Sequence, residues 1–320
     1  MHPVALFGAA GYTGVELIKL LSGHPDVRLA CAASDGHAGR RVEDLTGRAS
    51  DLVFVSTEQA RAIAADCEVA LLAVPPDAAA ALAPSLAARV IDLSHAHRAT
   101  AGAVYGLASL FGGEVAGARL VANPGCYATS VITAAAPLVR HGLVDGDVVV
   151  SAGSGVTGAG RSSDEALSLG EMYGEVRAYK VLRHQHVPEI EAALARVGMT
   201  AATRVVLTTH LLPVARGIFA TLTVRLARRA PTAELVELYR RDYAGDPTVR
   251  IARTAEEVSL RRIVGTNLCA VGVASDERHV IVTVAIDNLL KGAAGQAVEN
   301  LNVMLGLPRT AGLEHLARHA

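Results

Sequence analysis

Short apolar runs alternate with amphipathic segments through the first third of the chain. Strand-like runs cover residues 4–7, 27–33, 69–74 and 90–93, and apolar positions recur with a helical period over 14–22. Asp77 is placed to cap the helix that follows the third run. Because buried strands joined by helices run parallel with right-handed crossovers, this order predicts a parallel sheet.

The pattern changes after residue 126. Alternating or β-branched runs cover 147–151, 204–211, 219–226 and 279–286, which is typical of a mixed or antiparallel sheet. Helical periodicity covers 188–197, 232–243 and a final amphipathic segment, 288–305, which Gly306 stops. A second domain of α+β type is therefore expected.

Composition excludes several function classes. Hydrophobic residues make up 51% of the 320 positions and the formal net charge is −1, so no overall field draws the protein to nucleic acid or to an anionic membrane. The N-terminus lacks a signal-peptide pattern, and no apolar stretch suffices to span a bilayer. The four cysteines form no CxxC pair and no zinc-like cluster, so we expect no metal and a reducing, cytoplasmic location.

A glycine-rich turn lies between the first strand and the first helix. Glycines there permit a tight turn and close approach of the backbone to a pyrophosphate at the helix N-terminus, and the candidates are Gly8, Ala10, Gly11, Tyr12, Thr13 and Gly14. The alternative is a purely structural turn. The second strand ends at Ser34-Asp35. An acidic group there favours the ribose hydroxyl of NAD, whereas Ser34, Arg40 and Arg41 suit the 2′-phosphate of NADP.

This turn and the strand order predict an α/β chain in two parts. Residues 1–125 plus 288–320 would form a Rossmann-type parallel sheet that binds a dinucleotide. Residues 126–287 would form an α+β domain with a mixed sheet for catalysis and oligomerisation.

Cys126 is a candidate nucleophile. It follows Asn123-Pro124-Gly125 and precedes a long apolar-periodic run, 127–140, which places it in the first turn of a helix. The positive end of a helix lowers the pKa of a thiol and so activates it. The alternative is a small core residue, as most cysteines are.

Polar chemistry is also dense at residues 183–189. We expect His186 in a loop just before a helix that begins at Pro188, acting as base to a thiol and later as acid, with Glu189 orienting the imidazole. His184 and His186 have no third metal ligand at suitable spacing.

A second glycine-rich turn covers residues 154–161. It would close over a nicotinamide or a substrate, with Arg161 binding an anionic oxygen, or would simply connect two domains. Arg98 is a weaker anion-binding candidate.

The motifs together resemble the N-acetyl-γ-glutamyl-phosphate reductases of the aspartate-semialdehyde dehydrogenase superfamily. The segments that carry the resemblance span nearly the whole chain: GAAGYTG (8–14), ANPGCYAT (122–129), SGVTGAGR (154–161), HQHVPEI (184–190), HLLPVARGI (210–218), GTN (265–267) and DNLLKGAAGQAVENLN (287–302).

The resemblance implies NADPH-dependent reductive dephosphorylation of N-acetyl-glutamyl 5-phosphate to the 5-semialdehyde, in arginine biosynthesis. Cys126 would form a thioester and His186 would be the acid/base. Pro75, Gly158 and Asn288 would join the cofactor site, and Asn123 and His184 would join Arg98 and Arg161 at the substrate. A homodimer or homotetramer built through the second-domain sheet is also implied.

The sequence departs from the family at four places. Ser109 stands where the family has a glutamate, a lysine is missing near 151–153, Ala96-His97 replaces aspartate-phenylalanine, and Asp35 follows Ser34 where an arginine is expected. These positions bear on the acyl group and on the choice between NADP and NAD.

Two rival functions stay open. A sister reductase would act on a glutamyl or aminoadipyl phosphate held by an acidic carrier protein, or on another acyl phosphate of specialised biosynthesis. The arginines available to dock a carrier are Arg177, Arg183, Arg261 and Arg262. The second rival is a non-catalytic dinucleotide sensor, which would lack a reactive thiol.

Overall fold

The structure is a computed structural model that describes residues 1–161 and 165–317. The described residues divide into two compact units, Met1–Gly125 with Ala293–His315 and Cys126–Gly292 with Leu316 and Ala317. Residues 318–320, which the predicted first domain included, lie outside the described part. No helix within the described residues is both long and apolar enough to cross a membrane.

Strands and helices follow one another along both units. The strands are β1 (His2–Phe7), β2 (Val27–Ala33), β3 (Phe54–Val55), β4 (Val69–Leu72), β5 (Arg89–Asp92), β6 (Val104–Tyr105), β7 (Leu120–Ala122), β8 (Val148–Ser154), β9 (Arg177–Tyr179), β10 (Val205–Leu211), β11 (Ile218–Pro231), β12 (Val249–Ile251) and β13 (Cys269–Ile286). The α-helices are α1 (Tyr12–Leu21), α2 (Val42–Thr46), α3 (Thr57–Ala64), α4 (Pro76–Leu82), α5 (Ala108–Val115), α6 (Cys126–Arg140), α7 (Leu169–Met172), α8 (His186–Arg196), α9 (Thr232–Asp242), α10 (Leu260–Ile263) and α11 (Gly295–Leu305).

The first unit contains a parallel sheet of order β3-β2-β1-β4-β5-β7-β6, as predicted. Its central strand is apolar and buried: Val4, Ala5, Leu6 and Phe7 are all 0% exposed, because strands covered on both faces lack the polar alternation of half-exposed ones. The order reverses between β1 and β4, and a reversal of this kind opens a crevice at the carboxyl ends of the strands.

Two predicted boundaries in this unit are wrong. The β4 strand ends at Leu72 instead of residue 74, and Asp77 is not the helix cap. Pro75 occupies the N-cap position of α4 and Pro76 begins the helix, since a proline ring presets the helical φ and its missing N–H costs nothing in the first turn.

The second unit contains a mixed sheet of order β12-β13-β11-β8-β10-β9, also as predicted. The β8–β10 and β12–β13 pairs are parallel and the other pairs are antiparallel. Along β8, buried Val148 and Val150 alternate with exposed Val149 and Ser151. Helix α6 packs against β8, β11 and β13 and contacts α8 and α9, so it lies in the core of this unit.

Helix α6 contains a proline whose missing hydrogen bond is replaced by a tyrosine hydroxyl from the residue that follows α9. Pro137 has no N–H, so the carbonyl of Thr133 loses its helical partner. The Tyr243 hydroxyl donates to that carbonyl at 2.6 Å. Because a buried unpaired carbonyl is costly, this bond lets α6 stay helical up to Arg140.

The C-terminal segment differs from its prediction as a single amphipathic helix. It consists of a π-helical turn, Leu290–Ala294, followed by α11. Its polar residues are buried: Gln296, Glu299, Asn300 and Asn302 are 0% exposed. They stay inside because they have partners, such as the Gly106 carbonyl, which accepts from the side-chain amides of Gln296 and Asn300 at 3.0 and 2.8 Å.

Candidate active site

The glycine-rich turn of the first unit is shaped as a cradle. A Cβ at Gly8, whose φ is +76°, would lie 2.2 Å from the Ala73 carbonyl oxygen, and a Cβ at Gly14 would lie 2.4 Å from the Gly8 carbonyl oxygen. Gly11 is the N-cap of α1 and supplies no side-chain cap. The turn thus presents backbone at a helix N-terminus, which fits the pyrophosphate of a dinucleotide. Ala10 and Thr13 lie on this turn, Tyr12 is 37% exposed, and Pro75 follows the neighbouring strand β4.

Asp35, after β2, is engaged with the next helix. Its two carboxylate oxygens accept from the backbone N–H and the hydroxyl of Thr57, at 2.7 and 2.8 Å. These hydrogen bonds, the one from the N–H first, lower the pKa of the Asp35 carboxyl. The Ser34 hydroxyl lies 3.2 Å from Nδ1 of His37, and Arg41 pairs with Glu43.

Polar contacts hold the turn that precedes the cysteine. Arg98 donates from Nε to the Asn123 carbonyl at 3.0 Å and from Nη2 to the Leu93 carbonyl at 3.1 Å. The Asn123 side chain donates to the Ala293 carbonyl and accepts from Asn300 at 3.0 Å. Arg98 and Asn123, predicted at the substrate, thus both support the backbone that leads into Cys126.

Cys126 is the first residue of α6 and is partly buried. A Cβ at Gly292, in the π-helical turn, would lie 2.8 Å from the Cys126 Cβ. The chain can therefore pass the cysteine this closely only because position 292 has no side chain. π-Helical turns are often found at functional sites.

The other three cysteines are buried. Burial, and after it the proximity of Cys67, raises the pKa of Cys31 to about 11. Burial likewise raises the pKa of Cys67. Cys269 is 0% exposed. Cys126 thus differs from them in both exposure and position.

A cavity of about 240 Å³ in the second unit is lined by Cys126, His184 and His186. Ser154 and Gly158 of the second glycine-rich turn also line it, as do Tyr179, the last residue of β9, and Lys180, which follows it. The predicted nucleophile and both histidines therefore share one cavity, of a size for a small molecule.

The two histidines differ in their surroundings. His184 is 4% exposed, and its Nδ1 accepts from the backbone N–H of His186 at 3.2 Å. Burial, and after it the charge of Lys180, lowers the pKa of His184 to about 4. His184 is therefore neutral at pH 7, and because Nδ1 is an acceptor its proton lies on Nε2.

His186 was expected in a loop, and that placement is wrong. It is the first residue of α8, with Gln185 as the N-cap, because proline is tolerated in the first turn and Pro188 does not have to begin the helix. Glu189 is buried one turn further along the helix, and residues three apart share a helix face.

The second glycine-rich turn is fastened within its own unit. Asn288, 2% exposed, accepts from the Gly217 N–H at 2.7 Å and donates to the Thr157 hydroxyl at 3.1 Å. Gly158 lies in the 3₁₀ turn Val156–Ala159. Arg161 is exposed at the end of the described stretch.

Tyr179 and Lys180 line the cavity although the sequence did not point to them. The three-residue strand β9, an edge strand, is too short to give a periodic signal. Lys180 and Leu182 have left-handed backbones, with φ of +47° and +56°. Non-glycine residues in this conformation concentrate at functional sites.

Known proteins resemble both units. The semialdehyde dehydrogenase NAD binding domain matches residues 3–118, and the semialdehyde dehydrogenase dimerisation domain matches residues 126–288. The chain is 41% identical to an N-acetyl-gamma-glutamyl-phosphate reductase of Geobacter sulfurreducens, with 99% of each chain covered. It is 38% identical to a reductase of the same name from Bacillus cereus strain AH187, with 98% of each covered.

Among solved structures, aspartate semialdehyde dehydrogenase II of Vibrio cholerae aligns with a TM-score of 0.76 at 16% identity, covering 96% of this chain and 98% of that one. At that identity the likeness shows the shared fold. The near-complete match to the reductases, with the cysteine and both histidines lining one cavity, means that this chain belongs to the N-acetyl-γ-glutamyl-phosphate reductase family.

Proposed function

We propose that this protein reduces N-acetyl-glutamyl 5-phosphate to N-acetyl-glutamate 5-semialdehyde with NADPH, releasing phosphate, as a step of arginine biosynthesis. One observation carries the proposal: a partly buried cysteine at the start of a helix shares a small cavity with two histidines. The chain matches reductases of this name over nearly its whole length.

Cys126 is the nucleophile and His186 its base. The positive end of α6 favours the thiolate, and the positive end of α8 favours a neutral imidazole that can accept the thiol proton. The sulfur attacks the acyl carbon, a C–S bond forms, the C–O bond to phosphate breaks, and a thioester remains. Bound NADPH supplies the hydride that reduces this thioester. His186, which holds the proton taken from the thiol, gives it to the oxygen of the reduced thioester, so that a thiohemiacetal forms. His186 then removes this hydroxyl proton as the C–S bond breaks, the aldehyde leaves and the thiolate returns.

His184 serves as a neutral donor in this scheme. Its Nδ1 is occupied by the His186 N–H, so its Nε2–H is the hydrogen it offers to a substrate oxygen. Glu189, on the same helix as His186, orients the imidazole. Arg161 binds an anionic oxygen of the substrate. Arg98 and Asn123 act on the substrate indirectly, because they hold the turn that leads into Cys126.

The dinucleotide occupies the cradle at Gly8–Gly14, with Ser34 and Pro75 on the same edge of the sheet. NADP is the cofactor. Both Asp35 oxygens accept hydrogen bonds from Thr57, and this supports the choice, because a carboxylate with these partners binds the ribose hydroxyl of NAD less well. Gly158 and Asn288 stay predicted cofactor contacts.

The assembly is a homodimer or homotetramer formed through the second-unit sheet. The match of residues 126–288 to a semialdehyde dehydrogenase dimerisation domain supports this interface. The four free cysteines suit a reducing cytoplasm.

The reaction is tested in reverse. The purified protein should reduce NADP⁺ when given N-acetyl-glutamate 5-semialdehyde, and only when phosphate is present. Absence of turnover at millimolar semialdehyde would refute this substrate and direct the search to a carrier-bound acyl phosphate.

The nucleophile is tested separately. Cys126→Ser should abolish turnover while the affinity for NADPH stays within about twofold of the wild type, because the cradle lies in the other unit. Iodoacetamide near pH 7 should label Cys126 faster than Cys31, Cys67 or Cys269. Equal labelling rates would leave a dinucleotide sensor as the better description.

A further inference from the structure

The cavity contains a tyrosine pair that the reaction scheme does not use. Tyr127 follows the nucleophile on α6 and is 2% exposed, and Tyr179 ends the edge strand β9. The Tyr179 hydroxyl donates to the Tyr127 oxygen at 3.0 Å. The Tyr127 hydroxyl in turn lies 3.5 Å from the carbonyl oxygen of His210, on β10. The pair therefore connects the helix of the nucleophile to two strands of the sheet.

The rings of this pair enclose His184. The imidazole lies edge-on to Tyr127, with centroids 5.2 Å apart and planes at 81°, and edge-on to Tyr179 at 5.8 Å and 70°. The third neighbouring ring is His186, at 4.8 Å and 62°. Edge-to-face packing of this kind restricts ring rotation, so the His184 ring has few orientations left.

The restricted orientation of His184 in turn restricts His186. Its Nδ1 accepts the N–H of His186 at 3.2 Å, at the point where α8 begins. Tyr127 also contacts the His186 ring directly, with centroids 6.1 Å apart. One tyrosine, adjacent in sequence to the thiol, thus touches both imidazoles.

The phenol groups of both tyrosines stay protonated at working pH. Burial raises the pKa of Tyr179 to about 12 and raises that of Tyr127 well above its usual value. Both phenols therefore keep their protons. The backbone of Tyr179 is also held in place, because its carbonyl accepts from the Thr209 hydroxyl at 2.6 Å.

We propose that Tyr127 and Tyr179 are positioning residues that hold His184, and through it the imidazole of His186, in place at Cys126. The proposal rests on the proposed roles of Cys126 and His186. The two phenols keep their protons; the pair acts by limiting where the acid/base can lie.

Tyr179→Phe tests this because it keeps the ring and removes the donor. Tyr127→Phe removes the acceptor and the link to His210. The control is Tyr173→Phe, which makes the same chemical change on a side chain that is 85% exposed. In the reverse assay we expect kcat to fall about tenfold for each cavity variant, with the KM for semialdehyde within about twofold and the control unchanged.

A second readout does not depend on the substrate. The rate of iodoacetamide labelling of Cys126 is followed from pH 5.5 to 9 in each protein. If the pair positions His186, the midpoint of thiolate formation should rise by about half a pH unit in the cavity variants, because the imidazole supports the thiolate less well.

The outcomes distinguish a wrong substrate from a wrong positioning role. A wild-type enzyme that is inactive on N-acetyl-glutamate 5-semialdehyde refutes the proposed substrate, and the labelling profiles still decide the positioning role. Cavity variants whose labelling profiles superimpose on the wild type overturn the positioning role. This holds even if their thermal stability falls, since a merely structural role lowers stability without moving the profile.

Discussion

The close approach of Gly292 to the nucleophile gives a sharp test of the site. Gly292 lies in the π-helical turn Leu290–Ala294, and a Cβ there would meet the Cys126 Cβ at 2.8 Å and the Ile286 Cδ1 at 3.2 Å. The Gly292 backbone has no left-handed φ that would itself exclude alanine. Gly292→Ala therefore changes the space around the thiol and little else.

The size of the effect follows from these distances. Ordinary contact for a Cβ begins at 3.4–4 Å, so the two carbons must separate by about 0.6–1.2 Å. Overpacking of a core on this scale costs about 1–3 kcal/mol of unfolding free energy. A displacement of about 1 Å between reacting groups can lower a rate by about 100-fold. We therefore expect kcat to fall about 10- to 100-fold.

The assay combines kcat, NADPH affinity and stability. Gly292→Ala should lose turnover and label more slowly with iodoacetamide, while its NADPH dissociation constant stays within about twofold of the wild type. The matched control is Gly113→Ala, at an exposed position of α5 with no atom within 4 Å of the added carbon. It should keep full activity and gain about 0.5–1 kcal/mol. A Gly292→Ala enzyme with kcat within twofold of the wild type would refute the argument.

Three further predictions follow from contacts away from the nucleophile. Tyr243→Phe leaves the Thr133 carbonyl unpaired inside α6, so urea unfolding should show a loss of about 1–3 kcal/mol. Thr57→Val frees the Asp35 carboxylate and should lower the ratio of kcat/KM for NADPH over NADH, whereas Asp35→Asn should raise it. The pKa of His184 is about 4 in the native protein against an ordinary 6.5. The unfolded chain therefore binds the extra proton and stability falls as pH drops from 6.5 towards 4; His184→Phe should lose less stability over that window in urea titrations.

The sequence predicted the first sheet well because its strands are buried on both faces. The run at residues 4–7 has no polar position, and β1 pairs with β2 and β4 in parallel. The capping pair Ser56 and Gln59 marks the start of α3, a helix that our sequence analysis did not predict. Helix α5 was missed because Phe111 breaks it with a non-helical φ of −123°, which interrupts the apolar period.

The site was predictable as chemistry and less so as geometry. A helix-start cysteine and a histidine-rich loop are local patterns, and both line the cavity. That His186 begins α8 depends on Gln185 taking the cap, and the usual sequence signals for a cap do not include glutamine. The contribution of β9 depends on its pairing with β10, of which Thr209 and Tyr179 are partners, and a contact so distant in sequence leaves no periodic trace.

The C-terminal segment departs from its prediction for the most instructive reason. Helical periodicity assumes that polar residues face water, yet Asn300 is fully buried and donates to the Asn123 side chain, 177 positions earlier. In the π-helical turn that precedes α11, Gly292 leaves space for the Cys126 side chain. The C-terminal segment thus contacts both the turn that precedes the nucleophile and the nucleophile itself. The burial of a polar residue and the need for a glycine are here both set by contacts distant in sequence, and a pattern of apolar and polar positions does not encode such contacts.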